Sequence, residues 1–413
     1  MREIKRIDFQ NGLRLLMEKR PNTKKAALLI GVKVGPVNEN DKISGISHFN
    51  EHLLFKSNRY RTTRQIIEDL EYSGTIVNAY TTWKYTAFYA KTPYRELNNV
   101  IQILFEAATN FNYREDEFEL ERQVILTEIQ NYINSPEKYS ILGLFIPTLF
   151  KGTALERKIE GTVKSITLMK KNDLEKFKKR FYKPNNMVIS ICGRFDERVL
   201  LEKIGDTFGS MKRGGSVKDE NIEIKNKKLY REERRKDINQ MYLALGYRVP
   251  GYQSDDYFKL DILSSILSEG LSSRMFYELR EKRGIGYSVG SLYHPFGKEG
   301  MFFTHVDGFD PSRLNETKET ILKIFENLKN KKIPEREFRG TKKLIISRYD
   351  DKLENITDRA ILMLESEFYN IPFDFRKKNK LIKGVSKYDI MSAARDYLDE
   401  NYTLTILKQD DRV

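Results

Sequence analysis

Half of the chain's four histidines fall in one short stretch, His48-Phe49-Asn50-Glu51-His52. On a helix, residues four apart share a face, so the two imidazoles can converge on one point with Glu51 beside them. That geometry suits zinc, although surface helices also carry such residues. A zinc ion that does chemistry takes three protein ligands and leaves its fourth position to water, so a third ligand must come from elsewhere in the chain. The segment from Glu117 to Ile129 reads as a long amphipathic helix carrying Glu121 and Glu128 seven residues apart, which is two turns. Both carboxylates then share a stripe with Val124 and Ile125, a costly place for charge unless something binds it. Taken alone, the same helix also reads as a solvated one, with its carboxylates near Arg122.

The elements that position these residues must come from a chain of 413 residues, long for a single core and suited to two domains. Apolar residues make up 39% and aromatics 12%, enough for a sizeable core in each. No apolar run approaches the roughly 18 residues of a membrane span, and Met1-Arg2-Glu3-Ile4-Lys5-Arg6 lacks the apolar stretch of a secretory signal. The expectation is a soluble, cytoplasmic protein without membrane contact. The single cysteine, Cys192, sits in the strand-like run Met187-Val188-Ile189-Ser190-Ile191-Cys192 and has no partner for a disulfide. A net charge of +14 raises the question of nucleic acid, but the 59 acidic residues are interspersed and no long single-sign tract develops. The basic run from Lys176 to Phe181 reads as the solvated face of a helix, and Lys329-Asn330-Lys331-Lys332 as a helix end. No nucleic-acid partner is expected.

The two halves read as diverged copies of one unit. Ala26-Ala27-Leu28-Leu29-Ile30-Gly31-Val32-Lys33-Val34-Gly35 is echoed 215 residues later by Met241-Tyr242-Leu243-Ala244-Leu245-Gly246-Tyr247-Arg248-Val249-Pro250, and Glu117-Phe118 is echoed 220 residues later by Glu337-Phe338. Carried across, His48, Glu51 and His52 fall on Leu263, Ile266 and Leu267, while Glu121 falls on Thr341 and Glu128 on Arg348. The second copy fills with apolar side chains the helix face that carries ligands in the first. Each half reads as strands, then helices, then a closing strand, which predicts an α+β fold: two homologous, α/β-sandwich-like domains, each a mostly antiparallel sheet with helices on one face. The predicted division is a zinc-binding catalytic domain over 1–212, a charged linker over 213–236 opened by Gly214-Gly215-Ser216, and a homologous domain lacking the zinc site over 237–413.

With these residues in view, Gly45-Ile46-Ser47-His48-Phe49-Asn50-Glu51-His52-Leu53-Leu54-Phe55 resembles the inverted H-x-x-E-H zinc motif of the M16 metallopeptidases, the pitrilysin and mitochondrial processing peptidase family. Glu128 is similar to the family's distal zinc-binding glutamate, and Glu121 to the second glutamate that supports catalysis. Gly74-Thr75-Ile76-Val77-Asn78-Ala79-Tyr80-Thr81 resembles its substrate-docking strand. Leu279-Arg280-Glu281-Lys282-Arg283-Gly284-Ile285-Gly286-Tyr287-Ser288-Val289 resembles the segment whose arginine and tyrosine contact substrate. Two departures stand out: Asn50 occupies a position where leucine is usual, and Lys84 stands near one that is commonly acidic.

The resemblance implies a zinc-dependent endopeptidase that cleaves unfolded peptides or oligopeptides inside a chamber. One Zn2+ per chain would be held by His48, His52 and Glu128, with Glu51 as the general base and Glu121 in support. Tyr287 would donate to the oxyanion, and Arg280 and Tyr287 would contact substrate. Asn78 and Ala79 would accept an extended peptide through their backbones. A two-unit chain is half the size of the four-unit family members, so the resemblance also implies pairing, as a homodimer or with a related chain. The alternative is a noncatalytic partner subunit of a heteromeric peptidase. Such subunits typically lose a ligand or the base, and this chain keeps all four residues.

Overall fold

The computed structural model describes residues 3–109, 113–215, 217, 222, 225–372 and 375–410. Two compact units emerge, each built on one sheet. The first contains β1 (Lys5–Asp8), β2 (Arg14–Lys19), β3 (Lys25–Val32), β4 (Ile76–Thr81), β5 (Thr86–Pro93) and β6 (Met187–Gly193) in the order β1-β2-β6-β3-β5-β4. The second contains β7 (Leu229–Arg235), β8 (Met241–Pro250), β9 (Ser288–Pro295), β10 (Glu299–Phe309) and β11 (Thr403–Gln409) in the order β7-β11-β8-β10-β9. Without β1, the first order maps onto the second strand for strand. The one parallel pairing, β2 with β6, recurs as β7 with β11. Every other pairing is antiparallel. The α+β class and the duplication are therefore both written into the topology.

Helices were expected over one face of each sheet, and here the fold departs from expectation. In the first unit, Thr81 points its side chain to α1 (Ile46–His52), where it meets Glu51. Its neighbour Tyr80 points the other way, to Tyr85, which donates to Glu365 of the helix Ile356–Phe368. Successive strand residues face opposite sides, so helices cover both faces. This double cover explains why β3 and β6 are buried almost throughout and read as continuous apolar runs. Cys192 lies in β6 as predicted, its thiol pushed up to about 12 by burial. In the second unit, Leu243, Leu245, Tyr247 and Val249 of β8 pack into the main core with Leu260, Leu263 and Phe325. Tyr242 packs on the other side with Leu144 and Leu407.

The covering helices are exchanged between the repeats. The first unit comprises Met1–Ile129, Arg157–Glu220 and Lys352–Phe373, and the second Gln130–Glu156, Asn221–Asp351 and Asp374–Val413. The helix Ile356–Phe368, encoded in the second half, lies on β3 and β6 of the first sheet. The segment Tyr139–Leu149, encoded in the first half, lies on β8 and β11 of the second. The compact units therefore cut the chain differently from the predicted division at 212 and 236. Within the predicted linker, residues 216, 218–221, 223 and 224 lie outside the described residues, and Leu229–Arg235 is not linker but the edge strand β7.

The exchange is fixed by specific contacts. A Cβ on Gly31 would lie 2.6 Å from Leu364 Cδ1 and 2.7 Å from Phe368 Cε2, so any side chain there would force Leu364 and Phe368 to shift. Ser190 donates to the Ala360 carbonyl at 2.7 Å. Arg359 and Glu18 form a fully buried pair at 2.5 Å, and Arg20 reaches the same carboxylate at 2.8 Å while donating to the Leu353 and Glu354 carbonyls. A chain ending at residue 212 lacks this helix, leaving Glu18 without Arg359 and one face of β3 and β6 bare. It is expected to show no cooperative thermal transition by circular dichroism. A sharp transition like that of the full chain would refute this dependence.

Candidate metal centre

The ligand helix α1 is only seven residues long, so its placement depends on its surroundings. At its start, Gly45 adopts a left-handed φ of 89°. A Cβ there would sit 2.6 Å from the Glu160 carbonyl oxygen, and one on Gly161 would sit 2.4 Å from that of Ser44. Two backbones thus cross at glycines on both strands of the crossing. Glu39, buried, accepts from the Gly45 and Ser47 N–H groups at 2.7 and 2.9 Å and supplies the cap that no residue of α1 provides. Burial pushes its carboxyl up to about 7 against the pull of these hydrogen bonds.

The second ligand helix is α4 (Glu115–Ile133), which follows α2 (Thr63–Tyr72) and α3 (Leu97–Thr109) in the chain. Phe49 of α1 stacks on Phe118 of α4 with ring centres 5.0 Å apart and planes within 3° of parallel. Arg122 lies over Phe118 at 4.7 Å and donates to the Met169 carbonyl at 2.8 Å, which anchors α4. Of the predicted stripe on α4, Ile125 and Glu121 are buried, whereas Val124 and Glu128 are exposed.

This packing brings His48, His52 and Glu128 together, with one ligand atom from each within 4.8 Å of the others. Glu128 Oε2 is 3.7 Å from His48 Nε2 and 3.5 Å from His52 Nε2. Zinc bonds of roughly 2.0–2.2 Å in a tetrahedron place ligand atoms about 3.3–3.6 Å apart, so the three residues fit such an ion with little adjustment. Among the described residues no other group of three could hold a metal.

The electrostatics agree with a cation site. For His52, burial opposes the charge, but hydrogen bonds to Glu121 and Glu128 outweigh it and lift the ring to about 9. His48 is driven down to about 4, first by burial and then by the neighbouring His52 charge. Glu121 accepts from His52 Nδ1 at 3.0 Å and from Lys56 Nζ at 2.6 Å. Burial works against its charge, yet these two partners hold it below the usual carboxylate range. Glu121 therefore orients the ring that presents Nε2 inward and sits behind the ligand rather than at it. Glu51 is raised by burial, with a 2.6 Å hydrogen bond from Thr81 pulling the other way.

Of the other predicted residues, Asn78 and Ala79 lie on β4, the open edge of the first sheet. Arg280 and Tyr287 belong to the second unit, where the guanidinium lies 5.6 Å from the centre of the tyrosine ring and the ring is 82% exposed. The family-atypical Asn50 is fully buried and donates to the Ile46 carbonyl at 3.0 Å. Three residues escaped sequence reasoning. Lys56 follows His52 by four, but α1 ends at His52, so helical spacing does not reveal the pair. Glu39 acts across a loop. Thr81 could have been found, because it lies two residues past Ala79 and so shares its face of β4.

The second unit shows the same helix pair without ligands. Leu263 and Leu267 are fully buried, as is Ile266 to within 2%. Arg348, at the position of Glu128, pairs with Asp261 at 2.8 Å and Glu269 at 3.0 Å. An ion pair here spans the gap that the first unit leaves for a cation.

Two measurements check the first-unit site. Because a protonated His52 must release its proton to take a cation, the apparent zinc affinity of the metal-free chain should rise close to tenfold per pH unit below about 9. Calorimetry in buffers of different ionisation enthalpy reads that proton, and a pH-independent affinity would contradict the charge assigned to His52. Replacing Glu121 by alanine should weaken zinc binding about 10- to 100-fold in competition with a chromophoric chelator. Unchanged affinity would show that the Glu121–His52 bond does not orient the ligand.

Comparison with known proteins supports this reading. Residues 14–163 match the family described as Insulinase (Peptidase family M16), and residues 169–345 match the Peptidase M16 inactive domain. An uncharacterized zinc protease of Mycobacterium leprae is 30% identical over 341 residues, covering 82% of this chain and 76% of its own. The uncharacterized zinc protease YmxG of Bacillus subtilis is 28% identical over 385 residues, covering 93% and 90%. The crystal structure of a protease from Helicobacter pylori shares the fold with a TM-score of 0.93 at 24% identity, covering 98% of this chain and 99% of that one. The chain belongs to peptidase family M16, with its candidate cation site in the segment that matches Insulinase (Peptidase family M16).

Proposed function

We propose that this chain is a zinc endopeptidase acting on extended, unfolded peptides. The observation that carries the reading is the convergence of His48, His52 and Glu128 with a fourth group, Glu51, that is held beside them by Thr81. Zinc bound by the three ligands would act as a Lewis acid toward water and the scissile carbonyl. The rest is done by this chain's own residues. Glu51 takes the proton of the attacking water and later passes it to the leaving amine. Burial suits it to both steps, because a carboxyl with a raised pKa holds and releases protons closer to neutral pH. Glu121 and Lys56 keep the His52 ring in one orientation. The edge of β4 takes the peptide as an added strand, through main-chain hydrogen bonds that read little sequence.

Arg280 and Tyr287 are assigned to substrate contact and oxyanion stabilisation, with the tyrosine's exposure leaving its hydroxyl open to a ligand. Two chains would pair around a chamber in which these groups serve either their own or the partner's site. The rival reading, a noncatalytic partner subunit, has to explain why the ligands, the base and the support behind His52 are all intact. A mixed peptide library separates the two. The native chain with one zinc bound should cleave it, and Glu51→Gln should keep its zinc while losing about 100-fold or more in rate. Equal cleavage by both chains would reject Glu51 as the base, and no cleavage by the zinc-loaded native chain would favour the noncatalytic subunit.

A further inference from the structure

The hydrogen-bond phase of β4 determines what its open edge can offer. Thr82 N–H donates to the Tyr85 carbonyl at 2.8 Å, which closes the hairpin on a hydrogen-bonded pair. Such pairs alternate along antiparallel strands, so the next are Tyr80 with Ala87 and Asn78 with Tyr89. The backbone groups of Val77, Ala79 and Thr81 then face away from β5, toward the unoccupied edge. The Ala79 N–H is met there by its neighbour's side chain, the Asn78 Oδ1 at 2.8 Å, a local contact that an incoming carbonyl can replace.

The equivalent edge of the second sheet is treated differently. Phe296 N–H donates to the Glu299 carbonyl, and the same alternation turns the Ser291 backbone outward on β9. Its carbonyl is already taken by the Ser268 hydroxyl at 2.7 Å, from the helix Tyr257–Ser268. Among the described residues, the outward carbonyls of β4 show no bond of this kind.

Thr81 stands at the junction of edge and base. Its backbone belongs to the outward set, while its hydroxyl donates to Glu51 Oε2 at 2.6 Å. One residue thus faces the site of strand addition with its main chain and grips the base with its side chain. We propose that Thr81 is a positioning residue that couples the docking of an extended peptide on β4 to the orientation of Glu51. The hydroxyl binds one carboxylate oxygen and leaves the other for proton transfer. A peptide paired with the Thr81 main chain fixes the strand that carries that hydroxyl.

This inference rests on the peptidase reading, and its test is arranged so that the two can fail separately. Thr81→Val removes the hydroxyl while keeping shape and strand preference. Its kcat should fall about 10- to 100-fold, the range expected for losing a hydrogen bond to a charged group. Its zinc content should stay at that of the native chain, and its KM and its Kd for a decapeptide with a reduced scissile bond should stay within about twofold. Thr81→Ser restores the hydroxyl and should recover most of the rate. Native kcat in Thr81→Val, or an equal loss in Thr81→Ser, overturns the role of Thr81 while leaving the peptidase reading intact. Should the valine chain fail to fold, Thr81→Ala against Thr81→Ser poses the same comparison. Absence of cleavage by the zinc-loaded native chain overturns both.

Discussion

The stack of Phe49 on Phe118 sets the separation of α1 and α4, the two helices that carry the three candidate ligands. Ring centres 5.0 Å apart with nearly parallel planes leave little freedom to slide, because both rings are buried. Above that contact, Glu128 meets both imidazoles, and Glu121 meets the far side of one of them. His48 and Glu121 are buried and His52 is partly so, an unfavourable place for ionisable groups without partners. Here the apolar stack and the crossing at Gly45 and Gly161 hold them together, and the neighbouring carboxylates raise His52 to about 9 against the effect of burial.

The same logic extends to the fold. Each sheet of this duplicated chain has one face covered by its own repeat and the other by a segment from the opposite repeat. The Glu18–Arg359 pair shows what holds the exchange in place. A buried ion pair adds little net stability, but removing one member typically costs about 3–5 kcal/mol, a cost that Arg20 lessens for Glu18 by remaining on the same carboxylate. Such a contact specifies which helix belongs on the sheet more than it tightens the packing, and Gly31 adds a steric requirement of the same kind.

Much of this was legible in the amino-acid order because it rests on short periodicities. Four-residue spacing placed His48 and His52 on one face, seven-residue spacing aligned Glu121 with Glu128, and the echo of Ala26–Gly35 in Met241–Pro250 exposed the duplication. The second copy confirms the alignment, with Leu263, Ile266 and Leu267 inward and Arg348 at the position of Glu128. Contacts between distant positions left no local trace. Glu18 and Arg359 are 341 residues apart, and nothing in either neighbourhood marks the pairing. The charged run Leu229–Arg235 reads as linker because its residues are those of a solvated segment. They are also what an edge strand needs, since Glu232 pairs with both Arg234 and Lys408 of β11 and charge discourages unwanted strand pairing.

The staple of Arg348 with Asp261 and Glu269 gives the two units unequal dependence on their surroundings. One unit carries its positive charge permanently, on a side chain it cannot lose. The other has Glu128 at that position, beside two histidines, so a cation joining its two helices there is not built into the chain. In the zinc-bound state proposed above, chelation would bear first on α1 and α4, whereas the Arg348 staple needs no added ion. A single duplicated architecture thus meets one helix pair in two ways, with an arginine staple in one copy and a candidate ligand set in the other.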